Sequence, residues 1–359
     1  MTAPTRGTVV PATTAEKALV PLPAQAAGVP WPTREWPRGE PDSRIDRTRL
    51  ERALERAFSG DAVAKLGETH AVVIVHRGVL VAERYRPGVG PADTLRSWSI
   101  AKSILHALLG ILVRDGLLDV GAPVDAPEWD EPDDPRRAIT VDHLLRMSSG
   151  LGYVENYEDE HSDVREMLFG RDRFDMAHFA AARPLAAPPG TVFNYTSGQS
   201  LLLARLLGRI VGGGSDGCRT FMRRELFGPI GMTSALPRFD AAGTFIGSSY
   251  VFATAQDFAR FGLLYLRDGL WEGRRLLPEG WVDYARTPTP TAPLGDYGAH
   301  FWLSPGDLGA FSANGFEGQR ILLVPGLDLI VVRLGRTPAA EALGLQSWLA
   351  DVVASFRTA

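Results

Sequence analysis

Cysteine is all but missing from this chain: Cys218 is the only one in 359 residues. No intrachain disulfide can form, and nothing asks for an oxidising compartment. Long apolar runs are missing too. No segment reaches the ~20 uninterrupted apolar residues of a membrane helix, and residues 1–25 lack the apolar stretch of about 7 to 15 residues that a secretory signal needs. The expectation is a cytoplasmic protein without a membrane partner. An excess of one charge is also lacking, since 38 basic and 42 acidic side chains leave a formal net charge of -4. With no basic stripe, nucleic acid is not an expected partner. Lysine is scarce: only Lys17, Lys65 and Lys102 stand among the 38 basic residues. The seven histidines, His70, His76, His106, His143, His161, His178 and His300, show no ligand spacing with one another or with Cys218. Neither a metal nor another cofactor is therefore expected.

What is present is a globular composition, 45% hydrophobic and 22% charged, too apolar for a disordered chain. Chains beyond ~250 to 300 residues tend to split, so a two-part molecule is expected. Residues 1–45, with Pro30, Pro32, Pro37 and Pro41 closely spaced, read as an arm lying on the surface. Leu50, Leu54 and Phe58 recur at a spacing of four, which predicts an amphipathic helix over 47–58. The β-branched runs Ala71 to His76 and Val79 to Tyr85 flank Arg77-Gly78, which predicts a hairpin with a two-residue turn. A long apolar helix follows over 99–114. Helices are expected over 141–147, 175–182 and 200–211, with few strand signals between. A second hairpin, 318–324 and 327–334 about Pro325-Gly326, precedes a terminal helix over 339–356. These elements predict an α+β fold: an antiparallel sheet flanked by helices, built from residues 46–119 and 241–359, with a mostly helical domain, 120–240, inserted between.

Three segments carry chemistry. Ser99-Ile100-Ala101-Lys102 at the start of an apolar helix sets a hydroxyl and an amine one turn apart on one face. Serine is a weak nucleophile until a base takes its proton, and a lysine serves once its pKa falls from ~10.4. A lysine kept in an arginine-rich chain, inside an apolar helix, is costly unless it is used. Phe193-Asn194-Tyr195-Thr196-Ser197 follows Pro188-Pro189-Gly190. Its tyrosine either anchors the loop or projects over the seryl hydroxyl, where a neighbouring ammonium would push the phenol toward phenolate and let it relay protons. Ala313-Asn314-Gly315-Phe316-Glu317-Gly318-Gln319 is a glycine-bearing strand entry. There Gly315 permits close approach, and the next amide can donate to an oxyanion. Tyr153, Glu155, Asn156 and Tyr157 either line a pocket or decorate a loop, and Trp98 and Trp302 are either pocket walls or core.

Taken in this order, the segments resemble the serine β-lactamase and penicillin-binding superfamily, and most closely its class C-like esterases and 6-aminohexanoate-dimer hydrolases. The resemblance spans roughly Val72 to Leu334 and includes Arg96 to Ser99, Leu144 to Leu151, Pro189-Gly190, Tyr297-Gly298 and Pro325. It implies a serine hydrolase of ester or linear amide bonds, acting on small molecules without a cofactor. Ser99 would be the acylated nucleophile, Lys102 its base and Tyr195 the proton relay to the leaving group. The backbone amides of Ser99 and Phe316 would form the oxyanion hole, with Asn314, Gly315, Tyr157 and Trp302 around the substrate. Tyr195-Thr196-Ser197 replaces the Tyr-x-Asn of many members, and Ala313-Asn314-Gly315 replaces Lys-Thr-Gly or His-x-Gly. The missing cation at 313 favours esters and linear amides over β-lactams. An acyltransferase, a weak β-lactamase and a non-catalytic binding scaffold are the alternatives.

Overall fold

The computed structural model describes residues 18–60, 65–304 and 306–357; the expected arm's residues 1–17 lie outside them. A six-stranded antiparallel sheet runs through the molecule. Its strands are β1 (Glu68–His76), β2 (Val79–Tyr85), β3 (Trp302–Leu303), β4 (Phe311–Gly315), β5 (Gln319–Val324) and β6 (Leu329–Arg336), in the order β2-β1-β6-β5-β4-β3. The first and last parts of the chain thus meet where β1 pairs with β6, Ala71 opposite Leu334 and His76 opposite Leu329. The β1–β2 turn is made by Arg77 and Gly78, with φ of 53° and 79°. Two left-handed residues in succession suit the twist of a two-residue hairpin.

Each face of the sheet is apolar, so each must be covered. Val72, Ile74, Val324 and Val331 pack beneath the amphipathic helix α1 (Arg47–Phe58) and the terminal helix, which runs over Ala342–Ser355. On the other face, Val73, Val75, Ile321 and Val332 meet α2 (Ile100–Arg114) and the helix Ala255–Leu266. All thirteen residues from Ile100 to Leu112 are buried. A helix apolar all round belongs inside a protein, and this one brings its N-terminus to the edge where β4 ends.

The structure shifts several expected bounds. Ser99 caps α2 rather than lying within it. The helix expected from residue 200 is α3 (Ser197–Val211), starting three residues earlier after Thr196, so Ser197 is helical rather than a loop residue. The segment read as a strand entry at 313 is the end of β4 itself, and the final strand runs Leu329–Arg336 because Pro325–Leu327 forms a 3-10 turn closed by left-handed Asp328. The two-residue strand Leu95–Arg96 pairs with Val251–Ala253, a contact too short to be read from periodicity. Residues 18–45 lie across the surface, tied by Arg260 to the Pro32 carbonyl at 2.7 Å and by Arg286 to that of Val20 at 2.6 Å.

Candidate active site

Ser99 sits where a strained turn meets a buried helix. Trp98 just before it has φ of 46°, a left-handed conformation that costs a bulky residue of order 1 to 3 kcal/mol and persists only where its surroundings enforce it. Those surroundings are visible. Ser97 exchanges bonds with Val251, amide to carbonyl at 2.9 Å and hydroxyl from amide at 3.0 Å. On the other side Gly315 lies against the Ser97 carbonyl and the Trp98 side chain, so that any Cβ at 315 would collide with that carbonyl. This close approach sets Phe316 beside the start of α2, and its ring meets Trp98 edge-on at 5.4 Å.

One turn into α2, Lys102 is fully buried. Its Nζ donates to Ser99 Oγ at 3.1 Å, Ser197 Oγ at 3.1 Å and the Ser248 carbonyl at 3.0 Å. Burial disfavours the ammonium and draws its pKa down to about 8, against a smaller opposing pull from Glu155. Glu155 is held against Ser197, its two oxygens accepting the hydroxyl at 2.6 Å and the amide at 2.7 Å. Burial raises its pKa, and the nearby Lys102 opposes the rise. Behind the helix, His300 Nδ1 lies 3.0 Å from the Lys102 carbonyl and Nε2 lies 3.2 Å from Ser200 Oγ. A carbonyl only accepts, so Nδ1 carries the proton. Burial holds this imidazole neutral, with a pKa of about 3.

Tyr195 closes the other side. Asn194 fixes its loop, the amide donating to the Met147 carbonyl at 2.7 Å and the side chain to that of Tyr153 at 3.1 Å. Lys102 Nζ stands 5.0 Å from the centre of the Tyr195 ring, against its face. The expected push toward phenolate is not what this environment does: desolvation raises the hydroxyl's pKa, and the Ser99 hydroxyl opposes it only in part. Tyr195 therefore keeps its proton near neutral pH. The surrounding wall is aromatic. Tyr157 stacks on Phe316 at 4.5 Å and meets Trp98 edge-on at 6.0 Å, while Trp302 packs on Tyr195 at 5.3 Å. Asn314, opposite Arg320 across β4 and β5, has a buried side-chain oxygen without a hydrogen-bond partner. Ala313 is buried in the core between sheet and helices. Among the described residues no group of three or more His, Cys, Asp or Glu is placed to hold a metal, and no helix is long and apolar enough to cross a membrane.

The structure therefore gathers Ser99, Lys102, Tyr195, Gly315, Phe316, Tyr157 and Trp302 in one place. It adds Ser248 and His300, neither of which was singled out from the sequence, gives Ser197 a contact that its place in the Tyr195-Thr196-Ser197 motif did not reveal, and draws Glu155 in from an undecided loop. The model of the family described as Beta-lactamase matches residues 60–348. The chain belongs to the beta-lactamase family. As a member it is a hydrolase with the mixed α+β fold of that family. A 6-aminohexanoate-dimer hydrolase of Paenarthrobacter ureafaciens is 28% identical over 308 residues, 78% of this chain and 76% of that one. Among solved structures, a Bacillus anthracis protein provisionally given the same dimer-hydrolase name superposes with a TM-score of 0.72 at 24% identity, over 89% of this chain and 87% of its own. A D-stereospecific amidohydrolase from Streptomyces gives 0.60 at 16% identity, over 82% and 97%. At these identities the two structures speak for the fold.

Proposed function

We propose that this member of the beta-lactamase family hydrolyses ester and linear amide bonds through an acyl-enzyme on Ser99. The observation that carries the reading is the Lys102 Nζ held 3.1 Å from Ser99 Oγ in a fully buried setting. Neutral Lys102 takes the Ser99 proton as Oγ attacks the substrate carbonyl. The amides of Ser99 and Phe316 receive the developing oxyanion. Tyr195 passes its proton to the leaving alcohol or amine and is restored from Lys102, and water then releases the acyl group by the reverse path. Tyr157, Trp302 and the Gly315 backbone line the substrate channel.

Arg320 supports a narrower class. Its guanidinium lies near enough to Tyr195 for each to influence the other's protonation, burial draws its pKa down to about 10, and among the described residues its side chain donates only to the Gln319 carbonyl. A half-buried cation with no acid in contact among the described residues, beside the unpaired Asn314 oxygen, suits a substrate that carries its own carboxylate together with hydrogen-bond donors. A linear dimer of 6-aminohexanoate, the substrate named for the Paenarthrobacter relative, has that chemistry. The test is intact-mass spectrometry and turnover with a p-nitrophenyl ester, a β-lactam and the linear dimer, each beside Ser99→Ala. An adduct or turnover that vanishes in the variant supports the assignment; activity that survives the substitution refutes it.

A further inference from the structure

We propose that Glu155 is the proton store of this site: through the Ser197 hydroxyl it takes the proton that Lys102 must shed before it can act as base to Ser99. This rests on the Ser99 reading above and deepens it. The three bonds of Lys102 Nζ, to Ser99 Oγ, Ser197 Oγ and the Ser248 carbonyl, account for the three protons of an ammonium and leave no lone pair for Ser99. That arrangement is a resting state that cannot act as a base. One of the acceptors opens a way out. Ser197 Oγ receives from Nζ and itself donates to Glu155 Oε1 at 2.6 Å, while Glu155 Oε2 is held by the Ser197 amide at 2.7 Å. Lysine, hydroxyl and carboxylate come from α2, α3 and the 155 loop, and they form one continuous hydrogen-bonded line.

The step balances. One Nζ–H bond breaks as that proton joins Ser197 Oγ, and the original Ser197 hydroxyl proton joins Glu155 Oε1. The ammonium and carboxylate become an amine and a carboxylic acid with no change in net charge. Rotation of the amine about its Cε–Nζ bond then turns the lone pair to the Ser99 hydroxyl. Burial acts on both partners in the direction this needs, drawing Lys102 down to about 8 and lifting Glu155. The other titratable groups that face the pair stay out of the way. Tyr153 and Tyr157 from the same loop are held far above neutrality, Tyr195 before α3 is raised, His300 behind Lys102 is neutral, and Arg320 faces Tyr195 from β5.

The experiment first compares the wild-type protein with Ser99→Ala on a p-nitrophenyl ester. No Ser99-dependent turnover overturns both the function and the store. With turnover in hand, kcat/KM is measured from about pH 5 to 10 for the wild type and for Glu155→Gln, Ser197→Ala and Ser197→Thr. A store keeps the proton count of the pair constant while Lys102 is freed, so the wild-type plateau extends well below the pKa of the lysine itself. In Glu155→Gln and Ser197→Ala the acid limb moves up by about one pH unit or more, with a loss of about tenfold near pH 6.5 and little loss at pH 9. Ser197→Thr, which keeps the hydroxyl, restores the plateau. A simple counter-ion predicts the opposite sign, because removing a carboxylate lowers the lysine's pKa and moves the limb down. A downward shift in Glu155→Gln, or a uniform loss at every pH in both variants, overturns the proposal. Each variant is checked for folding by circular dichroism, and either one alone decides the sign.

Discussion

Buried cations occur in two settings in this molecule. Beneath the N-terminal arm, Arg260 touches Asp257 at 2.7 Å and Arg267 touches Asp328 at 2.6 Å, with guanidinium groups all but closed to solvent. Each also holds the arm, Arg260 by the Pro32 carbonyl and Arg267 by the Gln25 side chain. At the site, Lys102 is just as buried but meets only hydroxyls and a carbonyl, and its nearest carboxylate, Glu155, stands one hydroxyl away. Direct contact fixes a charge, since removing either partner leaves the other uncompensated. Separation by one hydroxyl holds the charge while leaving its proton free to move. The same burial thus yields a clasp in one place and the proposed base in the other.

The sharpest way to break this contrast is Lys102→Arg, which keeps the charge and abolishes the ability to shed it. Turnover of the p-nitrophenyl ester is expected to fall by about a thousandfold or more, the scale of a lost general base, with the circular dichroism spectrum retained. Asp328→Asn breaks a clasp instead: urea unfolding is expected to show a loss of about 3 kcal/mol, with kcat/KM of the folded protein unchanged. Arg320 tests a third possibility, a half-buried cation proposed to meet an acid from outside. Arg320→Ala is expected to raise KM for a carboxylate-bearing linear amide about tenfold or more, and to change KM for a neutral ester far less in initial-rate measurements.

The last effect concerns stability against pH and leaves activity aside. His300 is held near 3 in the native state and its ordinary value is 6.5, so between those limits the unfolded chain binds a proton that the native chain refuses. Stability is complete above about pH 6.5 and falls toward pH 3 by as much as about 1.4 kcal/mol per pH unit for one histidine. His106, also held well below its ordinary value by burial, acts in the same direction. His300→Asn is expected to be less stable at pH 7, with a shallower decline in urea midpoint between pH 6 and 4. An unchanged slope would place the acid sensitivity elsewhere.

Much of this was legible in the sequence wherever one local rule sufficed. The spacing of Leu50, Leu54 and Phe58 marked α1, Arg77-Gly78 marked the first hairpin, and Ser99 with Lys102 needed only the pitch of a helix. Ser197, Ser248 and His300 obey no such rule, for each reaches Lys102 across about 95 to 198 positions of chain. The early start of α3 hid Ser197 further, because Tyr195-Thr196-Ser197 reads as a loop until Thr196 is seen to begin the helix. Glu155 could not be told from its neighbours: among Glu158, Asp159 and Glu160 it looks like one more loop acid until its contact with Ser197 is seen. The aromatic residues gave their identity but not their place, and Trp302 became a wall only once β3 set it against Tyr195.

The contact between Gly315 and the Ser97 carbonyl also bears on when activity begins during synthesis. Ser99 and Lys102 are made about two hundred residues before the strand that braces them. Nascent chains that have not yet reached β4 carry both reactive groups and lack the neighbouring edge on which the proposed oxyanion hole depends. The proposed site is therefore complete only once nearly nine-tenths of the chain exists.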